Sequence, residues 1–344
     1  MSKFLITIFL VFLTLIFVQV VVVLGLRASP PAEYWVAQLI SVKEALADAE
    51  PAPRTLVLGG SSSLFGVSAE KIERATGRPT INMGLHAGLR LDKVLAIGRQ
   101  VAKPGDLIIL TLEPGYLTCG ADSWSSWQVR NAVAWDRDYF TARPLKERVE
   151  AVLSAGDPNL PVDMVSAWLG ARFHAKSVMS RVEALDPAMT NKDLSSIRRG
   201  LLPKEFVYSA DNLNANGDIG GTDRADYFGD GFDRTTPGHI CAGPLKMLGD
   251  FNRDMKSHNI RVVAANVPYL VRGSVPADWV NAEQAYRADL ASAGIDLVDS
   301  RQDVFFPPEA FFNSAGHLNA HARDIRTEKL LVALYAKGLL HAGG

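Results

Sequence analysis

From Phe4 to Leu24 the chain carries no charged residue, and only Thr7, Thr14 and Gln19 are polar. These 21 residues, at ~1.5 Å rise each, span about 31 Å as a helix, close to the hydrocarbon thickness of a bilayer. A cleavable signal peptide has a shorter apolar region and ends in an A-x-A-like site. Here the run continues into Gly25-Leu26-Arg27-Ala28-Ser29-Pro30-Pro31, a poor cleavage sequence. The expectation is an uncleaved signal anchor over residues 1–27. Lys3 lies on one side and Arg27 and Lys43 on the other, so the positive-inside rule is nearly silent. The usual outcome for a lone N-terminal anchor, export of all that follows, is taken as the orientation. That places the main domain outside the cytoplasm, held by a single pass; in a bacterium this is the periplasmic side of the inner membrane.

The remaining chain is long enough for one large domain or two modest ones. A formal net charge of −1 gives no reason to expect a nucleic-acid partner. There are two cysteines, Cys119 and Cys241. Outside the cytoplasm they can form one disulfide; two buried thiols are the alternative, and only geometry separates the two.

Residues 28–53 read as a linker or helical stalk, with helical character over Ala32–Ala49 before the break Pro51-Ala52-Pro53. Strand–helix alternation then begins. The apolar run Arg54–Leu58 leads into Gly59-Gly60-Ser61-Ser62-Ser63. A helix over Ala69–Ala75 follows, N-capped by Ser68 and stopped near Gly77. A strand at Thr80–Asn82, a helix over Leu91–Val101 ended by Pro104-Gly105, and the almost wholly apolar strand Leu107–Leu112 come next. The alternation pauses between about residues 120 and 243, a stretch holding Trp124, Trp127, Trp135 and Trp168 and a Gly/Asp/Asn-rich loop, Asp211–Asp233. It resumes with a helix over Pro244–His258, strand Arg261–Asn266, helix Ala277–Ala293, strand Ile295–Val298 and an amphipathic helix over Asn319–Lys337. This pattern predicts an α/β fold, a doubly wound, flavodoxin-like parallel sheet flanked by helices, spanning residues 54–344 and interrupted by one large insertion.

In open parallel sheets, ligands bind at the carboxyl ends of the strands. A serine placed there beside backbone N–H groups has access to oxyanion stabilisation; a Ser-rich loop that merely caps a helix is the structural alternative. His317, just before the last helix, is the second candidate, and a capping or satisfied polar histidine is its alternative. Other patterns are weaker. Asn212, Asn214, Asn216, Gly217, Asp218 and Asp223 faintly echo a calcium loop but lack its end ligands, so a solvated loop is expected. His86 is placed to approach the site, but it reads first as a satisfied loop histidine. The tryptophans read as core more than as sugar-stacking platforms. No Cys/His set has zinc spacing and no Gly-rich loop carries the P-loop lysine, so neither a metal nor a cofactor is expected.

Gly59-Gly60-Ser61-Ser62-Ser63-Leu64-Phe65-Gly66 resembles the first block of the SGNH/GDSL hydrolases, in the variant of membrane-anchored, alginate O-acetyltransferase-like polysaccharide acetylation proteins. Asn82-Met-Gly-Leu-His-Ala-Gly88 resembles the second block, and Phe312-Asn-Ser-Ala-Gly-His-Leu-Asn319 with Arg326-Thr327 the last. The resemblance covers about residues 54–112 and 261–331. It implies Ser61 as nucleophile, His317 as general base, and oxyanion contacts from the Gly60–Ser61 turn and from Gly84 or Gly88, with Gly88 preferred. It also implies an exported polysaccharide as substrate and a multi-pass membrane acyltransferase as the partner that supplies acetyl groups.

Two positions depart from the family pattern. The third block's Asn is replaced by Glu113-Pro114-Gly115, where Glu113 binds a sugar hydroxyl, orients a neighbour or simply shapes a turn. The acid expected three or four residues before the histidine is replaced by Ser314 and Asn313. An Asp→Asn change costs serine-protease triads about 10⁴-fold in kcat, whereas papain-like enzymes use Asn natively. Asn313 is therefore the candidate orienter, with Asp299 and Asp303 as alternatives. The implied activity is O-acyl transfer or ester hydrolysis; the rivals are a non-catalytic polysaccharide-binding or assembly subunit and a plain lipase-like esterase.

Overall fold

The computed structural model describes residues 2–173, 208–225, 238–273 and 278–343. The chain divides into two compact units, residues 1–38 with 123–202 and residues 39–122 with 203–344. The inserted segment is thus shared: its first part groups with the N-terminal helix, its last part with the α/β unit.

α2 (Tyr34–Ala49) carries the chain from the first unit into the second; in the first unit, α1 (Ser2–Gly25) is joined after the insertion point by α6 (Ser126–Trp135), α7 (Arg137–Thr141), α8 (Leu145–Ala155) and α9 (Asn159–Phe173). α1 is one helix long and apolar enough to cross a membrane. Its final turn enters a core in which Val23 is fully buried among Trp124, Val129, Phe140, Val152, Leu160 and Met164.

The second unit is built on five parallel strands: β1 (Thr55–Gly59), β2 (Thr80–Gly84), β3 (Leu107–Thr111), β4 (Arg261–Ala264) and β6 (Asp296–Leu297), in the order β2-β1-β3-β4-β6. β1, β2 and β3 are buried along their whole length, as strands covered on both faces must be. Helices α3 (Ser61–Gly66), α4 (Ala69–Thr76), α5 (Leu91–Val101), α10 (Ala242–Ser257), α11 (Asp278–Ser292) and α12 (Ala320–Ala336) flank them. Strands β5 (Tyr269–Leu270) and β7 (Phe305–Phe306) form a separate parallel pair. The result is an α/β unit with a parallel central sheet between helices. The expected helix starting at Ala277 has its first residue outside the described residues.

Local chemistry accounts for most boundaries. Ser68 caps α4 by accepting from Lys71 N–H, and Gly77 ends it at φ +66°. β4 stops two residues short of the expected Asn266, because the Asn266 N–H and amide both turn to Asp299 Oδ1, at 2.9 and 3.0 Å. At the opposite end of the sheet, Arg54 and Asp106 form a fully buried ion pair of 2.6 Å, with Arg54 also donating to Val101 O. Cys119 and Cys241 are disulfide-bonded, joining the chain after β3 to the start of α10 across 122 residues.

One expectation holds only in part. Asn212, Asn214 and Asp223 of the Asn212–Asp223 loop are exposed, as a solvated loop requires, whereas Asp218 and Thr222 are 3 % and 1 % exposed. The loop covers the outer edge of β2, where Asn82 N–H donates to Asn216 O at 2.8 Å. Asp218 accepts from the first amides of α4, Ala69 and Glu70, and from Ser68 Oγ and Asn82 Nδ2. An edge strand and a helix N-terminus both leave backbone groups unpaired, and this loop satisfies the two together. Residues 226–233 of the expected loop lie outside the described residues.

Candidate active site

The serine turn sits on the carboxyl ends of β1 and β3. α3 starts one residue after β1, and the backbone there is so close that only glycine fits. A Cβ on Gly59 would lie 2.0 Å from Thr111 O, and one on Gly84 2.2 Å from Leu64 N. The three serines then part company. Ser63 Oγ donates to Thr111 O at 2.7 Å, which anchors the helix to β3. Ser62 N–H donates to Glu113 Oε1 at 2.6 Å, its hydroxyl favours the charged form of the same carboxylate, and its Oγ lies 3.0 Å from where a Cβ on Gly316 would sit. Ser61 is 8 % exposed, and among the described residues no hydrogen bond is made by its hydroxyl.

Glu113 accepts from the Gly60 N–H at 3.1 Å as well as from Ser62. Burial raises its pKa, and these amide bonds oppose the rise. The carboxylate therefore holds the serine turn in place, in the manner of an orienter. Gly60 N–H is engaged by it. Gly88 N–H donates to His86 Nδ1 at 3.0 Å, and Gly84 N–H to Asn82 Oδ1 at 2.8 Å.

His317 arrives on a tight turn. Phe311 and Leu318 form an antiparallel bridge, Phe312 N–H donates to His317 O at 2.8 Å, and Asn319 caps α12 just beyond. The turn brings Asn313 Oδ1 to 2.7 Å from His317 Nδ1. Asn313 Nδ2 donates to the Tyr208 hydroxyl at 3.1 Å, which points the amide oxygen at the imidazole. Since that oxygen only accepts, it takes the Nδ1 proton and leaves Nε2 as the basic nitrogen. Tyr208 Oη is itself 3.1 Å from Nδ1. Asp299 and Asp303 are committed elsewhere: Asp299 to Asn266 and, at 3.0 Å, to Arg326, and Asp303 to the Ser300 N–H. Of the three candidate orienters, Asn313 is the one at the imidazole.

The serine and histidine elements meet. The Phe65 ring stacks on the His317 ring with centroids 4.2 Å apart and planes 17° apart. Ser61 and Phe65 are four residues apart on α3 and share a face, so the imidazole lies against the face that carries Ser61. Ser68 N–H donates to Thr327 Oγ1 at 2.9 Å, which ties α12 to the end of α3. Among the described residues no hydrogen bond joins Ser61 Oγ to His317. His317 is 9 % exposed; burial, with a smaller contribution from nearby His86, pushes its pKa down to about 3. The imidazole is therefore neutral across the physiological range.

Sequence reasoning missed Tyr208, for which no motif exists, and the roles of Phe65 and Ser62. His86 is a loop residue that accepts from Gly88 N–H, as expected, and it also lies near enough to His317 to lower its pKa. Among the described residues no cluster of His, Cys, Asp or Glu could hold a metal ion. Comparison with protein-family models, with curated proteins and with solved structures finds no match for this chain.

Proposed function

We propose that the chain is an extracytoplasmic O-acyltransferase or esterase of the SGNH type, acting on acyl groups of an exported polysaccharide. In this reading the sheet is doubly wound in the flavodoxin-like manner and α1 holds the α/β unit on the periplasmic side of the inner membrane. The observation that carries the reading is the stack of His317 on Phe65, which sets a neutral, Asn313-oriented imidazole on the Ser61 face of α3.

Ser61 Oγ attacks the acyl carbonyl carbon while His317 Nε2 takes the hydroxyl proton. The tetrahedral oxyanion is held by backbone N–H groups at the serine turn, that of Ser61 first, with Gly60 and Gly88 contributing once their present acceptors give way. Collapse breaks the bond to the donor's leaving group, which receives the proton from His317. A sugar hydroxyl, or water in an esterase, then gives its proton to Nε2 and attacks the acyl-serine; collapse breaks the acyl–Oγ bond, and the proton returns from Nε2 to Ser61 Oγ. A multi-pass membrane acyltransferase is the proposed source of the acetyl groups.

A second reading has one observation in its favour. Glu113 occupies the Gly60 and Ser62 amides and His86 the Gly88 amide, as expected of a polysaccharide-binding or assembly subunit that has kept the fold and lost turnover. Hydrolysis of p-nitrophenyl acetate by the full chain in detergent separates the two. The enzyme reading expects turnover that Ser61→Ala and His317→Ala each reduce by about 10³-fold or more and that Ser62→Ala largely keeps. Turnover unchanged in Ser61→Ala sinks it; glycan binding with no turnover in the parent chain establishes the second reading.

A further inference from the structure

α9 is apolar on two opposite sides. One side, Leu160 and Met164, is buried with Val23 of α1. On the other, Val162 is 63 % exposed, Val165 37 % and Leu169 40 %, and at ~100° per residue these three fall within about 60° of one another, opposite Leu160 and Met164. Trp168 flanks this stripe, 37 % exposed, with the Arg172 guanidinium 5.3 Å from its ring centroid. α8 adds the exposed Leu145 and Leu153. A helix apolar all round is stable only where both sides are covered, and here one cover is already identified.

The length of α1 indicates the other. Phe4 to Val18 is exposed except at Ile16 and apolar except at Thr7 and Thr14, while the core begins at Val20. Those free residues, with Gln19, supply about 24 Å of helix, roughly one turn short of a ~30 Å hydrocarbon core. The missing turn is the one that packs against α8 and α9, so the bundle beside it stands at the bilayer boundary. Charge agrees. Arg137 donates to Leu24 O at 3.3 Å at the end of α1, its Nη1 is buried without a partner among the described residues, and Arg27 is near enough for the two charges to disfavour each other. Two cations at that depth suit anionic headgroup phosphates.

We propose that this face of the bundle is a second membrane contact. α9 lies in the headgroup–acyl boundary of the leaflet from which α1 emerges, with Val162, Val165 and Leu169 in the acyl edge and Trp168 and Arg172 at headgroup level. The bilayer thereby holds the helical unit by its flank as well as by α1, which fixes its tilt. The inference goes beyond the acyl-transfer reading and rests only on α1 crossing the bilayer.

The test uses the full chain in phosphatidylcholine–phosphatidylglycerol vesicles, the two native cysteines being bonded to each other. Variants with one added free cysteine, Phe12→Cys, Val162→Cys, Leu169→Cys and, as an aqueous reference, Lys246→Cys, carry a bimane label. Lipid bearing a nitroxide at acyl carbon 5 is expected to quench labels 12, 162 and 169 at least twofold more than label 246, with iodide giving the reverse order. Labels 162 and 169 as open to iodide as 246, while 12 is lipid-quenched, overturn the proposal and leave the anchor standing. Protection from both quenchers at 162 and 169 means that protein covers the face, which also overturns it. Absence of lipid quenching at 12 removes the spanning helix and the proposal together.

Discussion

Acidification should destabilise the α/β unit through His317, and the size of the effect follows from its burial. The folded imidazole has a pKa of about 3, against about 6.5 in an unfolded chain. Between those values the unfolded state binds more protons, so stability falls as pH is lowered. From pH 7 to pH 5 the loss from this one group is about 2 kcal/mol, and it keeps growing until pH falls through the folded value. Carboxylates add their own acid dependence, so the comparison must be with His317→Gln, which has no titrating ring. Urea unfolding of both proteins in detergent at pH 7 and pH 5 should give a parent chain that loses about 2 kcal/mol more than the variant. Equal losses, to within about 0.5 kcal/mol, would show that the imidazole is not held neutral in the fold. The neutral ring held by burial would then lose its basis, while the tautomer, which rests on Asn313 Oδ1, would stand.

Replacing Asn313 by Asp puts a carboxylate beside Nδ1, so the acid limb of the kcat/KM profile should move up in pH, whereas Asn313→Ala should lower kcat about 10²-fold or more; both are read from p-nitrophenyl acetate rates against pH. Glu113→Ala removes the acceptor of two amides and should cost about 1–3 kcal/mol in urea unfolding, with Glu113→Gln losing less. Lys43 donates to Asn82 O and Gly217 O, and burial brings its pKa down to about 7 despite the opposing charge of Asp218. A base depressed on folding is penalised while protonated, so stability should rise by about 2 kcal/mol from pH 7 to pH 9, and Lys43→Met should abolish that rise. The Cys119→Ser, Cys241→Ser double variant reopens a loop of 122 residues, which chain entropy alone values at about 5 kcal/mol; a thermal midpoint indifferent to both the mutations and reductant would contradict it.

The parts of this molecule that were legible in sequence are those written in short-range chemistry. Ser68 and Gly77 bracket α4 because a cap and a left-handed stop are single-residue signals, and β3 is recognisable because a strand buried on both faces is apolar at all but one position, Thr111. Ser61, His317 and Asn313 were found as candidates because they lie in two short motifs, and the structure brings those motifs together. What was not legible depends on partners far along the chain. Tyr208 reaches His317 across 109 residues and Asp218 caps α4 from 150 residues away. No local pattern announces either, and an Asn- and Gly-rich stretch reads as solvated until the edge it covers is known. Glu113 was ambiguous for a related reason: an acid before a Pro-Gly turn is common, and only the amides of Gly60 and Ser62 explain it.

The loop over β2 has a consequence for how this protein associates. A parallel sheet that ends in bare backbone invites a further strand from a neighbouring chain. Here Asn216 already takes the Asn82 amide, and a side chain at Gly217 would press on Asn82 O at 2.8 Å. With that margin sealed, self-assembly by strand addition at β2 has no foothold, and neighbouring copies stay separate there.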